Sequence, residues 1–262
     1  MKSWYKIQAA TKALALSIHD EIGGWGIPTS DLLKEIRNFK GSQINLEIHS
    51  PGGSAFDGLA LYHALNNHPA RIEARVLGVA ASAATLPLMA GDTITMPDGA
   101  FIMIHDPWAM AGGGADELED TADLLRKVGD SLASVYSKRT GLPIERIKVL
   151  MADETWLNAT EAKALGFADE IDAEAKIAAL SPAAVRHFGK LPDALAPKLE
   201  TARDLEAAVR DGLQLPSRAA KKLVAGGFKA LSGRDDREEI EQATTLISAL
   251  RADLRKTFDL RT

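Results

Sequence analysis

Ser50-Pro51-Gly52-Gly53, Gly78-Val79-Ala80-Ala81-Ser82-Ala83-Ala84 and Phe101-Ile102-Met103-Ile104-His105-Asp106-Pro107 are three pieces of one stretch, residues 50–105. Each follows or ends an apolar run. Paired glycines let backbone N–H groups approach a bound group closely. A serine among small residues after an apolar run is placed to act as a nucleophile at the end of a strand. A histidine ending another such run is placed to act as its base. An unassisted serine hydroxyl is a poor nucleophile at neutral pH. It needs a base within hydrogen-bond reach, a group that orients the base, and donors for an oxyanion. The stretch offers Ser82 as nucleophile, His105 as base, and the N–H groups of Ala83 (at a helix start) and Gly52 as oxyanion donors. Ser50 and Ser54 flank the glycines and are read as turn formers.

Outward from this stretch the pattern alternates. Residues 4–9 and 13–18 read as two short strands joined by a Thr-Lys turn. Thr29 or Ser30 can cap a helix whose apolar face is Leu32, Leu33, Ile36 and Phe39, ended by Gly41. Residues 44–48 form a strand running into Ser50. A helix over 55–67 carries Phe56, Leu59, Leu61 and Leu65, and 72–77 is the next strand. Residues 80–90, rich in Ala and Leu, are expected as a buried helix stopped by Gly91-Asp92. Strands over 93–96 and 101–104 surround a Pro97-Asp98-Gly99 turn. Strand and helix alternating in units of about 30 residues is α/β patterning with crossover connections. A Gly112-Gly113-Gly114 loop leads to a long helix over 115–140, broken by Gly141-Leu142-Pro143, and a further helix to about residue 152. Asn158 and Glu161 make a capping box for a short helix ended by Gly166. Residues 167–171 are the last strand-like piece.

Beyond residue 173 the character changes. Pro182, Pro192 and Pro197, with no clear periodicity, predict a flexible connector over 173–197. Helical patterns follow at about 201–211 and 217–225. Ile240, Ile247 and Leu254 then recur at seven-residue spacing beside Leu250, as in a self-associating helix or one packed on its own domain. The expected organisation is a catalytic domain over 1–172, a linker over 173–197 and a helical extension over 198–262.

The chain has 262 residues, 46% of them hydrophobic, enough for a substantial core. Its net charge of −5 gives no global basic field for nucleic acid. With no cysteine there is no disulfide framework, no thiolate metal site and no cysteine nucleophile. No metal-ligand or nucleotide-binding motif stands out, so no cofactor is expected. No run approaches the roughly 18 apolar residues of a membrane span. The short apolar run at 13–18 is followed at once by His19, Asp20 and Glu21, unlike a signal peptide. A cytoplasmic protein is expected.

Ser-Pro-Gly-Gly after one strand, a small-flanked Ser82 after the next and His105 after a further one together resemble the ClpP peptidase family. The resemblance extends to Thr155-Trp156-Leu157-Asn158-Ala159-Thr160-Glu161-Ala162 and Gly166-Phe167-Ala168-Asp169, and covers roughly residues 13–172. It implies a ClpP/crotonase-type β-β-α superhelix, Ser82 as nucleophile, His105 as base, a polypeptide substrate and a homo-oligomeric ring. Ile18-His19-Asp20-Glu21-Ile22-Gly23, Ile104-His105-Asp106-Pro107-Trp108, Glu154-Thr155-Trp156 and the tail with Ala225-Gly226-Gly227-Phe228 look like one branch, the phage ClpP-like head maturation proteases. That branch implies cleavage of scaffold or capsid precursors, in the host cytoplasm or the prohead interior. Ala83 stands where housekeeping members usually have Met, and Glu154 where Asp is usual.

The residue that orients His105 has three acidic candidates. Asp106 is adjacent in sequence, and neighbouring side chains on an extended segment face opposite ways, so it reads as a turn former. By the resemblance, the family's acidic residue lies two positions before Trp156, which is Glu154; Asp153 is held in reserve. His19, His49, His63, His68 and His187 have no comparable context and are read as loop or helix-surface residues. Competing readings are a crotonase-type acyl-CoA enzyme, an inactive ClpP-like assembly protein, and a housekeeping ClpP working with an unfoldase.

Overall fold

The computed structural model describes residues 3–23, 28–172, 188–192, 195, 201–212 and 216–232. The chain divides into two compact units, Met1–Pro197 and Lys198–Thr262.

The first unit is built on an eight-stranded mixed sheet. Strands β1 (Tyr5–Ala9) and β2 (Ala13–Ile18) form an antiparallel hairpin. β2, β3 (Gln43–Ser50) and β4 (Arg71–Ala81) then run parallel. The connections are helices: α1 (Thr29–Asn38) between β2 and β3, and α2 (Ala55–Asn66) between β3 and β4. Such crossovers bury both faces of a parallel sheet, so its strands become rich in apolar residues. Leu14, Leu16, Ile44, Leu46, Ile48 and Val76 are accordingly fully buried.

β4 is the strand that shapes the site. Its first half pairs with β5 (Thr93–Pro97) through Glu73–Thr93 to Arg75–Thr95. Its second half pairs with β6 (Phe101–Ile104) through Val79–Phe101 to Ala81–Met103. The sheet therefore forks along one strand. β5 continues to β8 (Glu170–Asp172), and β6 to β7 (Thr155–Asn158), which runs antiparallel to it. A shift of register between Ile48 and Ser50 brings Ser50 opposite Ala80. The carboxyl ends of β3, β4 and β6 are thus gathered at one end of the sheet, where open α/β sheets place their ligands.

Three expectations need correction. Residues 80–90 are not one helix: the ladder to β6 carries β4 through Ala81, and only then come a 3₁₀ turn (Ser82–Ala84) and the short α3 (Thr85–Leu88). Cross-strand hydrogen bonds outweigh the helix preference of Ala80 and Ala81. β5 and β6 flank the Pro97-Asp98-Gly99 turn as the sequence predicts, each pairing with β4 and not with the other. α1 is entered from Pro28, in extended geometry at φ −63°, and neither Thr29 nor Ser30 is its cap; Thr29 is buried in the first turn. β8 starts only at Glu170 because α6 (Ala159–Ala164) ends in a Schellman turn. There the Phe167 N–H donates to Ala162 O and the Gly166 N–H to Lys163 O, with Gly166 at φ +81°.

The long α4 (Ala115–Thr140) and α5 (Ile144–Ala152) form as the sequence predicts, and the Asn158/Glu161 capping box is present. α4 buries Val128, Leu132, Ala133, Val135 and Tyr136. Its first half is exposed. Within the expected connector, Leu195 is only 1% exposed and packs with Val79, Ala81 and Met103; Phe188 and Leu191 join that cluster. Those residues belong to the first compact unit.

The second unit contains α7 (Ala202–Gly212) and α8 (Ser217–Ser232), which pack against each other. α8 runs past the expected end at 225 and through Gly226 and Gly227. The heptad-spaced Ile240, Ile247 and Leu254, with Leu250, lie outside the described residues, as does His187. No helix among the described residues is long and apolar enough to cross a membrane.

Candidate active site

Ser82 follows directly on β4, and His105 directly on β6. Because these strands are hydrogen-bonded neighbours, their ends bring the two side chains together: His105 Nε2 lies 2.7 Å from Ser82 Oγ. Ser82 has φ +54°, in the left-handed region. A non-glycine residue there costs on the order of 1–3 kcal/mol and persists only when its surroundings hold it. Thr85 Oγ1 donates to Ser82 O at 2.6 Å and lies 2.6 Å from Tyr136 Oη on α4. Since the threonine proton goes to Ser82 O, Tyr136 is the donor in the second bond. Tyr136 is fully buried, and burial pushes its phenol up to about 12, which keeps it a donor. The elbow is thus tied to the buried face of α4.

The glycine turn closes over the elbow. Ser50 Oγ is buried, donates to Asp20 O at 2.7 Å and accepts from the Gly52 N–H at 3.2 Å. Gly52 has φ +110°, and a Cβ there would meet Ser82 Cβ at 2.7 Å and Ala83 N at 3.1 Å. Only glycine lets the turn lie this close to the serine. Ser54 caps α2 by accepting from the Asp57 N–H. The turn-forming role expected of Ser50 is present, whereas Ser54 serves as a helix cap. The Gly52 N–H, expected as an oxyanion donor, is already committed to Ser50. Gly53 differs. The Ile22 N–H donates to Gly52 O and the Ser54 N–H to Ile22 O, a parallel bridge in which Gly53 turns its own N–H away from Ile22. Among the described residues that N–H has no acceptor. The doubled glycine was the signal, and only the bridge to Ile22 tells the two donors apart.

Burial holds the His105 imidazole below the usual histidine value, partly offset by the charges of Glu154 and then Asp106. The ring is therefore neutral at neutral pH. In the tautomer in which Ser82 Oγ–H donates to Nε2, the ring proton is on Nδ1. No carboxylate among the described residues accepts from Nδ1. Glu154 and His105 line one cavity of about 370 Å³ with Asp106 and Trp108. The Glu154 carboxylate, however, accepts from the backbone N–H groups of Gly189 (2.9 Å) and Lys190 (2.7 Å) and from Trp156 Nε1 (3.3 Å). Asp153 is exposed, and its carbonyl accepts from Lys190 Nζ at 2.6 Å. Asp106 is exposed, but the chain around it forms no turn, so the turn role read for it is not seen; its N–H donates to Met151 O.

Ser82 and His105 open into a cleft of about 430 Å³, walled by Leu124, Leu125, Val128 and Leu132 of α4 and by Pro51 to Ser54, with Phe188 also lining it. A larger groove of about 710 Å³ between α2 and α4 contains none of the site residues. His63 lines that groove, and His68 is structural, with Nδ1 accepting from the Ala70 N–H and Nε2 facing Phe39 O. His49 lies on β3, not on a loop or helix surface as expected; its Nδ1 is buried without a partner, and burial, then His19, pushes its imidazole down. Among the described residues no three His, Asp or Glu side chains cluster so as to hold a metal ion.

A neutral imidazole on a serine hydroxyl, next to a glycine turn, has the parts needed to move a proton from Oγ to Nε2 as Oγ attacks a carbonyl carbon. A family model described as Clp protease matches residues 29–175, more than half of the 262 residues and every element from α1 to β8. On that match the chain belongs to the Clp protease family.

Proposed function

We propose that this protein is a serine endopeptidase that needs neither metal nor nucleotide, with Ser82 as nucleophile and His105 as general base. The observation that carries the reading is the 2.7 Å contact between Ser82 Oγ and His105 Nε2 at a left-handed elbow. In the first step Oγ bonds to the scissile carbonyl carbon and its proton passes to Nε2. The carbonyl oxygen becomes an oxyanion within reach of the Ala83 N–H and of the Gly52-Gly53 turn. With the Gly52 N–H held by Ser50, Gly53 is the better second donor. The C–N bond then breaks, the amine leaving with the proton from Nε2, and a water molecule repeats the sequence to release the acyl group. Glu154 acts as a positioning residue that accepts Nδ1–H as the ring becomes charged.

Within the family, the reading as a phage head maturation protease acting on scaffold or capsid precursors draws support from the second helical unit, which lies wholly beyond the matched stretch. A homo-oligomeric ring is part of the same reading. The chemical claim is tested by Ser82→Ala in a peptide-hydrolysis assay. Loss of a triad member costs several orders of magnitude in rate, so the variant should lose about 10⁴-fold or more in kcat. Retention of near-normal activity would show that the nucleophile lies elsewhere.

A further inference from the structure

The short segment 188–191 lies beyond the family-matched residues, yet it is built onto the active site. Phe188 lines the cleft that contains Ser82 and packs edge-on against Trp156, with ring centroids 5.1 Å apart. Leu191 joins Val79, Ala81 and Met103, the apolar residues of the two strands that end in Ser82 and His105. Between these two anchors, Gly189 and Lys190 aim their backbone N–H groups at the Glu154 carboxylate, and Lys190 Nζ binds the carbonyl of Asp153. The contact is close enough that a Cβ on Gly189 would sit 3.2 Å from Glu154 Oε2.

Glu154 itself is held unusually. It has φ +48°, just past the end of α5, where glycine or asparagine is the usual residue. A carboxylate offers about four acceptor sites. Three are taken, by Gly189, Lys190 and Trp156, while His105, which lines a cavity with Glu154, has no carboxylate partner on Nδ1 among the described residues. A group placed only to shape a turn would not require a glutamate in the left-handed region. A group placed only to orient His105 would not have its oxygens directed at a segment outside the catalytic fold.

We propose that segment 188–191 is an internal latch that holds Glu154 off His105, and that its withdrawal lets the carboxylate accept Nδ1–H and raises the activity of the site. The proposal rests on the reading of Ser82 and His105 as a serine peptidase pair. Because Phe188 lines the cleft, a polypeptide seated there competes with the latch for the same space, which links occupancy of the cleft to release of Glu154.

The test uses the full chain. Lys190→Pro removes one of the donors to Glu154, and Leu191→Ala loosens an anchor without touching any donor. Peptide hydrolysis and the titration of the His105 ring, followed by NMR, are measured for each, with and without Glu154→Gln. If the latched form dominates at rest, kcat/KM should rise about tenfold or more in Lys190→Pro and by a smaller factor in Leu191→Ala. The His105 pKa should rise in both, because the anionic carboxylate moves onto the ring; Asp106, the other acid acting on the ring, is unchanged. Glu154→Gln should cost more in the Lys190→Pro background than in the parent, since only there is the carboxylate fully engaged. A purely structural contact would give equal factors in both backgrounds. Unchanged or lower kcat/KM, an unmoved His105 pKa, or equal costs of Glu154→Gln in kcat/KM would each overturn the latch, provided Ser82 is still labelled by a fluorophosphonate. Absence of labelling in all forms would instead overturn the peptidase reading, and the latch with it.

Discussion

Gly52→Ala isolates the closeness of the glycine turn to the serine. An added Cβ would lie 2.7 Å from Ser82 Cβ, 2.8 Å from Ala81 O and 3.1 Å from Ala83 N, at a backbone φ of +110°. Two of these neighbours are backbone atoms and cannot swing aside. Forcing an L-residue into that conformation costs on the order of 1–3 kcal/mol, and overpacking a tight site a similar amount. Together they predict a loss of about 2–5 kcal/mol, or roughly 5–15 °C in Tm for a unit of this size. The methyl group would also stand over the Ala83 N–H. Loss of one oxyanion donor costs about 10²–10³ in kcat. The assay is therefore paired: thermal unfolding, then peptide hydrolysis well below the lowered Tm, where the variant is folded. Gly112→Ala is the control, because a Cβ there meets nothing within 4 Å. If Gly52→Ala, shown to be folded, kept kcat within about twofold of the parent, the turn would not contribute to the reaction in the way argued.

Further outcomes follow from the same geometry. Activity should fall with acid through an apparent pKa below the usual histidine value of about 6.5, because burial lowers that of His105 and the protonated ring cannot take the Ser82 proton; a pH profile with its acidic limb above that value would contradict this. The same sign governs stability: His105 and His49 both have lowered folded-state values, so the neutral-ring contribution is complete above the unfolded value and is lost as pH falls through the folded ones, and Tm should drop on acidification. Tyr136→Phe removes the hydroxyl that donates to Thr85 and should lower stability by about 1 kcal/mol, read by denaturant melts, while hydrolysis persists. Glu154→Gln should reduce kcat on one peptide far more than Asp153→Asn; the reverse ranking would place the positioning role on Asp153.

Most of the framework was legible because its signals are local. Alternating apolar residues marked β1 to β3, and Asn158 with Glu161 marked the start of α6. Ser82 and His105 were legible as ends of apolar runs, and a parallel ladder makes such ends meet. The failures were non-local. Ala80 and Ala81 read as helix because nothing in their own composition announces pairing with Ile102 and Met103. The Gly52 and Gly53 donors cannot be told apart without the bridge to Ile22. Nor does the proline-bearing stretch after residue 173 announce that Phe188, Leu191 and Leu195 return to the strands carrying the site. That return joins Glu154 to residues more than thirty positions away, a separation over which composition carries no signal.

The most direct test of the central claim is intact-protein mass spectrometry after exposure to a fluorophosphonate. The account predicts a single covalent adduct that peptide mapping places on Ser82. It should be abolished by Ser82→Ala and formed far more slowly in His105→Ala, where no base takes the hydroxyl proton. An unlabelled parent protein, or an adduct that persists unchanged in Ser82→Ala, would contradict it.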